Sequence, residues 1–268
     1  MNLHVAHDLL ACPHCGQALT PLERRWVCPS GHSFDVARQG YLNLSNGPEP
    51  ANADTVEMLD ARTRVQSAGV FDFVSRGMDE VVPLTGVQTV LEVGAGTGHY
   101  LAQLVEDRPP ARGVALDVSR TAARRAAKAH HRVASVVADV WRGLPLLDDT
   151  IDVLLCIFAP RNPAEFARVL RPDGRVIVVT PAPEHLRELR QSYGLLGLED
   201  EKHDRLLARL GEHLAHEQTL GRRLTTTLPA DVLTDLVRMG PNAHHTPRLP
   251  DAAQQVQLAV QLTVFRPR

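Results

Sequence analysis

The stretch TVLEVGAGTGHY (residues 89–100) decides the fold of this chain. Its first half, Thr89–Val93, consists mostly of β-branched and leucine side chains, which predicts a buried strand. Three glycines follow at every second position (Gly94, Gly96 and Gly98), and glycine readily adopts the positive φ angles of a tight turn. A helix is predicted directly after them. Strand, glycine-rich turn and helix in this order indicate a doubly wound α/β sheet with a nucleotide-like ligand.

Three acidic residues stand beside this turn or at the ends of the next predicted strands. Glu92 precedes the first glycine, the second strand ends at Asp117, and the third ends at Asp139. A carboxylate at a strand end can hold ribose hydroxyls, and Asp139 is placed to accept from an adenine amino group. Each acid alone is also explained as a solvated turn residue. Together they favour a cofactor site, in which we include Val140.

Three of the four cysteines fall within residues 12–32. Cys12 and Cys15 form C-x2-C, and Cys28 and His32 form C-x3-H after a hairpin-length segment. Two such pairs supply the four soft or borderline ligands of a tetrahedral zinc ion. A disulfide is the alternative, but it leaves His32 unexplained. The spacing therefore predicts a structural zinc site with no open coordination position.

The segment around the zinc ligands mixes aromatic and basic side chains. Such a surface suits RNA phosphates and stacked bases. For Trp26 and Phe34 the favoured alternative is a small core beneath the zinc. The arginines of this region (Arg24, Arg25, Arg38) are balanced by the acids Asp8, Glu23 and Asp35.

The composition of the whole chain restricts its class. It has 268 residues and a net charge of −2, so no global charge draws it to nucleic acid. No stretch approaches the roughly 18 apolar residues of a membrane helix. The first residues lack the pattern of a secretory signal. We expect a cytoplasmic protein that makes no membrane contact.

Several motifs together resemble those of class I S-adenosylmethionine-dependent methyltransferases: E-x-G-x-G-x-G, the two strand-end acids, and LRPDGRVIVV (170–179). Over the whole chain, CPHC…CPSGH, FDVARQGYLNL (34–44) and TPAPEHLRELR (180–190) resemble the RlmA/TlrB family, which methylates N1 of a guanine in 23S rRNA. The resemblance implies S-adenosylmethionine and Zn²⁺ as cofactors and a homodimer. RMGPNAHHTP (238–247) further resembles the branch that includes macrolide-resistance enzymes.

The loops after the fourth and fifth predicted strands face the transferred methyl group in such a fold. We therefore predict Phe158, Arg161 and His185 as catalytic candidates. Phe158 would stack on a base or on the donor, and Arg161 would contact a phosphate or guanine O6. His185 would accept a proton or contact RNA. The alternatives are a surface salt bridge for Arg161 and an exposed or helix-capping role for His185.

The predicted architecture is a Rossmann-like, doubly wound, seven-stranded methyltransferase sheet with a small N-terminal zinc-binding β module. Residues 1–46 form the zinc and RNA-recognition module, 47–86 a linker and leading helices, and 87–268 the methyltransferase domain. The expected substrate is a 23S rRNA hairpin or a large-subunit precursor. The alternatives are a small-molecule methyltransferase with a purely structural zinc module, and a non-enzymatic zinc-bearing binding protein.

Overall fold

The structure is a computed structural model that describes residues 2–45, 47–82, 85–197, 202–244 and 249–268. The strands are β1 (Thr20–Leu22), β2 (Arg25–Val27), β3 (Ser33–Asp35), β4 (Leu42–Asn43), β5 (Thr89–Val93), β6 (Arg112–Asp117), β7 (Val133–Val137), β8 (Ile151–Ile157), β9 (Leu170–Pro181), β10 (Leu214–Leu228) and β11 (Gln254–Pro267). The helices are α1 (Val56–Ser67), α2 (Asp72–Val81), α3 (His99–Glu106), α4 (Arg120–Ala126), α5 (Pro163–Val169), α6 (Arg187–Tyr193), α7 (Lys202–Gly211) and α8 (Ala230–Arg238). None of these helices is long and apolar enough to span a bilayer.

An eight-stranded sheet in the order β10-β11-β9-β8-β5-β6-β7-β4 forms the centre of the molecule. The strands β5 to β9 run parallel, and β10 and β11 add an antiparallel pair of strands at one edge. The predicted doubly wound sheet is thereby confirmed, with one additional strand. Chain order reverses beside β5, and sheets of this kind bind ligands at the carboxyl ends of the strands next to such a reversal.

The parallel strands lie inside because helices cover both faces of the sheet. β5 and β7 are buried at every residue, as expected for parallel strands that are covered on both faces. One apolar cluster joins one face to α5 and α7, through residues such as Phe166 and Leu206. A second joins the other face to the helices α1, α2, α3, α6 and α8.

The N-terminal residues fold against the edge of this sheet. The predicted small N-terminal β module contains a three-stranded antiparallel sheet, β1-β2-β3. β4 then pairs in parallel with β7, with Leu42 opposite Val136. Leu10 and Trp26 of the module share an apolar cluster with Val136. The division of the chain at residues 46 and 86 stays a prediction, with Asn46 itself outside the described residues.

The C-terminal part corrects one prediction. The spacing of Leu206, Leu210 and Leu214 predicts one helix over residues 200–220, but α7 ends at Gly211 and β10 begins at Leu214. β10 pairs with β11 along its whole length, so sheet pairing overrides the local helical pattern. Residues 198–201, and the last three residues of the RMGPNAHHTP stretch (245–247), lie outside the described residues.

Candidate active site and metal centre

Two turns bring the predicted zinc ligands together. Cys12 and Cys15 occupy the first turn, and Cys28 and His32 the second, where the Cys28 amide donates to the carbonyl of His32 at 3.0 Å. Gly31 adopts a φ of 87°, the left-handed region that favours glycine. The four ligand atoms lie within 4.8 Å of one another.

The distances between the ligand atoms fit a tetrahedral zinc ion. Sγ of Cys12 and of Cys28 lie 3.5 and 3.3 Å from Nδ1 of His32, and the Cys15 and Cys28 sulfurs are 3.6 Å apart. Zn–S and Zn–N bonds of about 2.3 and 2.0 Å require edges of roughly 3.5 Å for S···N and 3.8 Å for S···S. The four cysteines are free thiols, so the disulfide alternative is not supported. Three Cys and one His form a closed, structural donor set.

Trp26 belongs to the core of the zinc module. It is 2% exposed and belongs to the same apolar cluster as Cys12 and Cys28. Phe34 is half-buried and stacks on His14, with ring centroids 5.8 Å apart. Trp26 therefore serves as core, whereas the rings of Phe34 and His14 keep exposed surface beside the zinc ligands.

The glycine-rich turn forms at the carboxyl end of β5. Gly94, Gly96 and Gly98 all have positive φ values, of 68°, 55° and 75°. A Cβ on Gly94 would lie 2.5 Å from the Cβ of Ala159, which follows β8. The amide of Gly94 donates to the carbonyl of Leu116 at 2.8 Å, which ties the turn to β6. Glycine is required here by both backbone conformation and space.

Two of the predicted cofactor acids are buried against this turn. Asp117 accepts hydrogen bonds from the amides of Gly96 and Ser119, both at 2.8 Å. Glu92 accepts from the amide of Leu101 at 3.2 Å, in the first turns of α3. Burial raises the pKa of Asp117 to about 6 and that of Glu92 to about 8. Both acids therefore shape the turn, and their contacts with the cofactor stay predictions.

The raised pKa of Glu92 gives a prediction for stability. The unfolded carboxyl titrates near pH ~4.3. Between that pH and about 8 the unfolded chain binds fewer protons than the folded one, so Glu92 lowers stability as pH rises. Glu92→Gln keeps the shape and removes this titration. We expect its melting temperature without ligand to exceed that of the parent by about 3 °C or more at pH 8, and by less at pH 5.

Glu165→Gln is the matched control, with the opposite sign. Burial opposes ionisation of Glu165, but hydrogen bonds from Arg168 hold its pKa below the usual value. This variant should lose stability at pH 8 and lose less as pH falls toward the folded pKa. If the melting temperature of Glu92→Gln differed from the parent by the same amount at both pH values, Glu92 would not titrate as stated.

Asp139 and Val140 follow the end of β7. Asp139 caps a short 3-10 helix, Val140–Arg142, by accepting from the amide of Trp141 at 3.0 Å. Val140 is 6% exposed, and its carbonyl accepts from the side-chain amide of Asn162. The predicted strand end lies two residues too late, because β7 ends at Val137. Asp139 and Val140 still lie at the carboxyl edge of the sheet, beside Asp117.

The three catalytic candidates lie after β8 and β9. Phe158 is 43% exposed and has a φ of 53°, a conformation that non-glycine residues adopt at a cost. Its ring centroid lies 6.5 Å from that of His185. Arg161 carries a buried Nε without a hydrogen-bond partner among the described residues. Its guanidinium lies near the Cys156 thiol, whose pKa burial raises to about 12.

His185 has a defined hydrogen-bond partner. Its Nδ1 accepts from the amide of Ala259 on β11, at 3.1 Å. Burial lowers the pKa of His185 to about 4, so the ring is neutral near pH 7. Because Nδ1 accepts, the proton of the neutral ring lies on Nε2. His185 is thus a hydrogen-bond donor at neutral pH, and the helix-capping alternative is not supported.

Two further residues of the site come from residues 47–86, which the sequence predicts only as a linker and leading helices. Phe71, just before α2, lies 6.1 Å from Phe158 and 6.3 Å from His185 between ring centroids, completing a three-ring cluster. Arg62 on α1 reaches the glycine turn. The only sequence signal for either was an aromatic or basic residue within a helical pattern, which does not by itself indicate a site.

Comparisons with known proteins agree with this architecture. Residues 10–45 match the family described as RlmA, N-terminal, and residues 90–174 match a methyltransferase domain family. A SAM-dependent methyltransferase from Aquifex aeolicus superposes with a TM-score of 0.50 at 15% identity, covering 79% of this chain and 100% of that chain. A chain of the Haloferax volcanii Trm112 methyltransferase activator complex gives 0.52 at 15% identity, covering 80% and 99%. These structures show the class I methyltransferase fold.

Relatives match along nearly the whole chain. The 23S rRNA (guanine(748)-N(1))-methyltransferase of Streptomyces fradiae is 40% identical, covering 96% of both chains. A Micromonospora griseorubida protein with a 23S rRNA (guanine-N(1)-)-methyltransferase name is 44% identical, covering 95% of this chain and 93% of that one. With a Cys3His zinc centre joined to an S-adenosylmethionine-dependent fold, this chain belongs to the family of 23S rRNA (guanine-N1)-methyltransferases.

Proposed function

We propose that this enzyme transfers the methyl group of S-adenosylmethionine to N1 of one guanine in 23S rRNA. The observation that carries the proposal is the match to relatives of that name over both the zinc module and the catalytic sheet. The small-molecule alternative is not favoured, because these relatives match the zinc module as well as the methyltransferase domain. A relative that shared only the methyltransferase domain would leave the zinc module unmatched. We also propose macrolide resistance as a biological role, on the resemblance of residues 238–247 to the branch that includes macrolide-resistance enzymes.

The chemistry places two requirements on the residues around the base. The bound cofactor supplies an electrophilic methyl group on a sulfonium. Guanine N1 carries a proton and lies on the Watson–Crick edge, so the base must be unpaired and aligned before transfer. The exposed ring of Phe158, with Phe71 and His185 beside it, offers a stacking surface for such a base at the carboxyl ends of β8 and β9.

Arg161 and His185 would act on the charge that forms as N1 loses its proton. Negative charge then spreads onto guanine O6, and a fixed donor aimed at O6 stabilises it. Arg161 has an unpaired donor for this task, and the neutral His185 offers Nε2–H. We propose both as donors, and not as general bases, so the N1 proton would pass to a water molecule of the solvent. Positioning and charge stabilisation then supply the catalysis.

The cofactor would lie over the glycine turn. Arg161 and His185 would be on one side of it, and the acids Asp117 and Asp139 on the other. Asp117 would hold the ribose hydroxyls, and Asp139 with Val140 would meet the adenine. The turn of Gly94, Gly96 and Gly98 would let the cofactor approach the backbone closely, with Glu92 shaping it from below.

The zinc module would hold the RNA beside this site. Arg24, Arg25 and Arg38 are exposed and make no ion pair with any described residue, while the nearby acid Asp8 is neutralised by Arg112 at 2.5 Å. These three arginines are therefore available for phosphates. A cavity of about 800 Å³ lies between the zinc turn, at His14, and the segment after β7.

The RNA segment, the cellular location and the oligomeric state of this enzyme are proposals as well. We propose a hairpin of 23S rRNA, or the large-subunit precursor that contains it, as substrate, and a cytoplasmic location follows from that substrate. A homodimer is proposed from the family resemblance alone.

Methyl transfer to 23S rRNA tests the proposed function. We expect S-adenosylmethionine and enzyme to create one new reverse-transcriptase stop, because a methyl on N1 blocks the pairing edge. Arg161→Met should lower kcat/KM by about tenfold or more, since it removes charge stabilisation at O6. Arg171→Met is the control, because Arg171 pairs with Asp152 near the opposite, amino edge of the sheet.

The absence of any new stop on naked rRNA and on precursor particles, with S-adenosylhomocysteine still bound, would refute the rRNA activity. Equal activity of Arg161→Met and Arg171→Met would refute the role of Arg161.

A further inference from the structure

Arg62 of α1 lies on the glycine-rich turn. Its Nη1 is 2.7 Å from the position that a Cβ on Gly96 would take, so the guanidinium fills the space that this glycine leaves open. The Arg62 side chain is only 23% exposed. In the sequence, Arg62 lies outside both segments that match known families, residues 10–45 and residues 90–174.

Two partners hold the guanidinium in this position. Nη1 and Nη2 donate to the two carboxylate oxygens of Asp54, and Nη2 also donates to the carbonyl of Met239 at 2.7 Å. Asp54 is itself tied to the sheet, because its carbonyl accepts from the Ser119 hydroxyl at 3.1 Å. A guanidinium has five N–H donors. Three hydrogen bonds therefore leave two donors without a partner among the described residues.

The positive charge of Arg62 also acts on Glu92 and Asp117, the two buried acids beside the glycine turn. Its charge opposes the rise in the pKa of Glu92 and of Asp117, which burial causes. Asp117 and Asp54 add further negative charge at the same place. The methionine part of the cofactor carries one carboxylate, and these acids would repel it. A fixed arginine with spare donors is the group that binds a carboxylate well.

We propose that Arg62 binds the α-carboxylate of the cofactor's methionine part, with Asp54 and the carbonyl of Met239 holding it in place. The inference rests on the proposed position of the cofactor over the glycine turn, and it does not depend on the RNA substrate. It gives α1 a function: the bound cofactor would join this helix to the sheet, and Arg62 would hold its charged end.

A pair of ligands that differ only in the carboxylate tests this role. We would titrate the protein calorimetrically with S-adenosylhomocysteine and with its decarboxylated counterpart, S-adenosyl-3-thiopropylamine. Arg62→Met should weaken S-adenosylhomocysteine about tenfold or more, as expected for a lost charge-assisted hydrogen bond. Its affinity for the decarboxylated ligand should be unchanged. Arg64→Met is the control on the same helix, because Arg64 is 59% exposed and pairs with Asp235.

Each other outcome contradicts the proposal. Equal losses for both ligands would show that Arg62 only supports the fold, and no loss for either would show that it does not reach the cofactor. Arg62→Lys keeps the positive charge and should retain part of the preference for the ligand with the carboxylate. It replaces Arg62→Met in the titrations if Arg62→Met is unfolded at the temperature of the measurement. If the parent protein bound neither ligand, the proposed cofactor position itself would be overturned, whereas a missing rRNA stop alone would leave this inference intact.

Discussion

Gly94→Ala should weaken binding of S-adenosylhomocysteine by about 100-fold. Two costs combine: a left-handed backbone costs a residue with a Cβ about 1–2 kcal/mol, and overpacking costs about 1–3 kcal/mol more. The new Cβ would lie 2.5 Å from the Cβ of Ala159, so the turn has to move away from the end of β8. That movement disturbs the surface on which the cofactor is proposed to lie. Calorimetric titration of the folded variant measures the effect.

Gly86→Ala separates the two costs. Gly86 also has a positive φ, of 84°, but an added Cβ meets no atom within 4 Å. It should lower the melting temperature slightly and leave ligand affinity unchanged. An affinity for Gly94→Ala within about threefold of the parent would contradict the proposed approach of the cofactor to the turn.

Removing the zinc should strongly lower methyl transfer and spare cofactor binding. β1, β2 and β3 have three residues each, so the module relies on the metal for much of its folding free energy, as small zinc domains do. Its inner surface, by contrast, packs on the sheet through Leu10 and Trp26. We therefore expect Cys28→Ser to lose zinc, to become protease-sensitive within residues 10–45, and to lower rRNA methylation about 100-fold or more.

Zinc content measures the loss of the metal, and limited proteolysis measures the unfolding of the module. Titration with S-adenosylhomocysteine measures whether the cofactor site is spared. Affinity for that ligand should stay within about twofold of the parent, because the glycine turn lies on the sheet itself. Thr20→Ala is the control, since Thr20 is an exposed residue of β1 outside the metal cluster. Full methylation by a zinc-free Cys28→Ser protein would contradict a role of the metal in the reaction.

Local patterns predicted most of the fold. The run Thr89–Val93, the three glycines and the following helix correspond to β5, the turn and α3, because short-range backbone geometry decides each of them. The zinc ligands were equally predictable, since each pair is set by the spacing within one turn. The helix predicted over residues 200–220 was wrong from Leu214 onward. These residues pair instead with β11, a strand that is distant in sequence.

The sequence by itself determined the class of fold, the metal ligands and the acids beside the cofactor turn, because each depends on residues close together in the chain. Only the tertiary structure decided which distant residues join them. It brought Phe71 to Phe158 and His185, and Arg62 to Gly96. It also fixed the tautomer of His185 through a hydrogen bond from a strand 74 residues away. Such contacts depend on helix packing and sheet order, which no local pattern encodes.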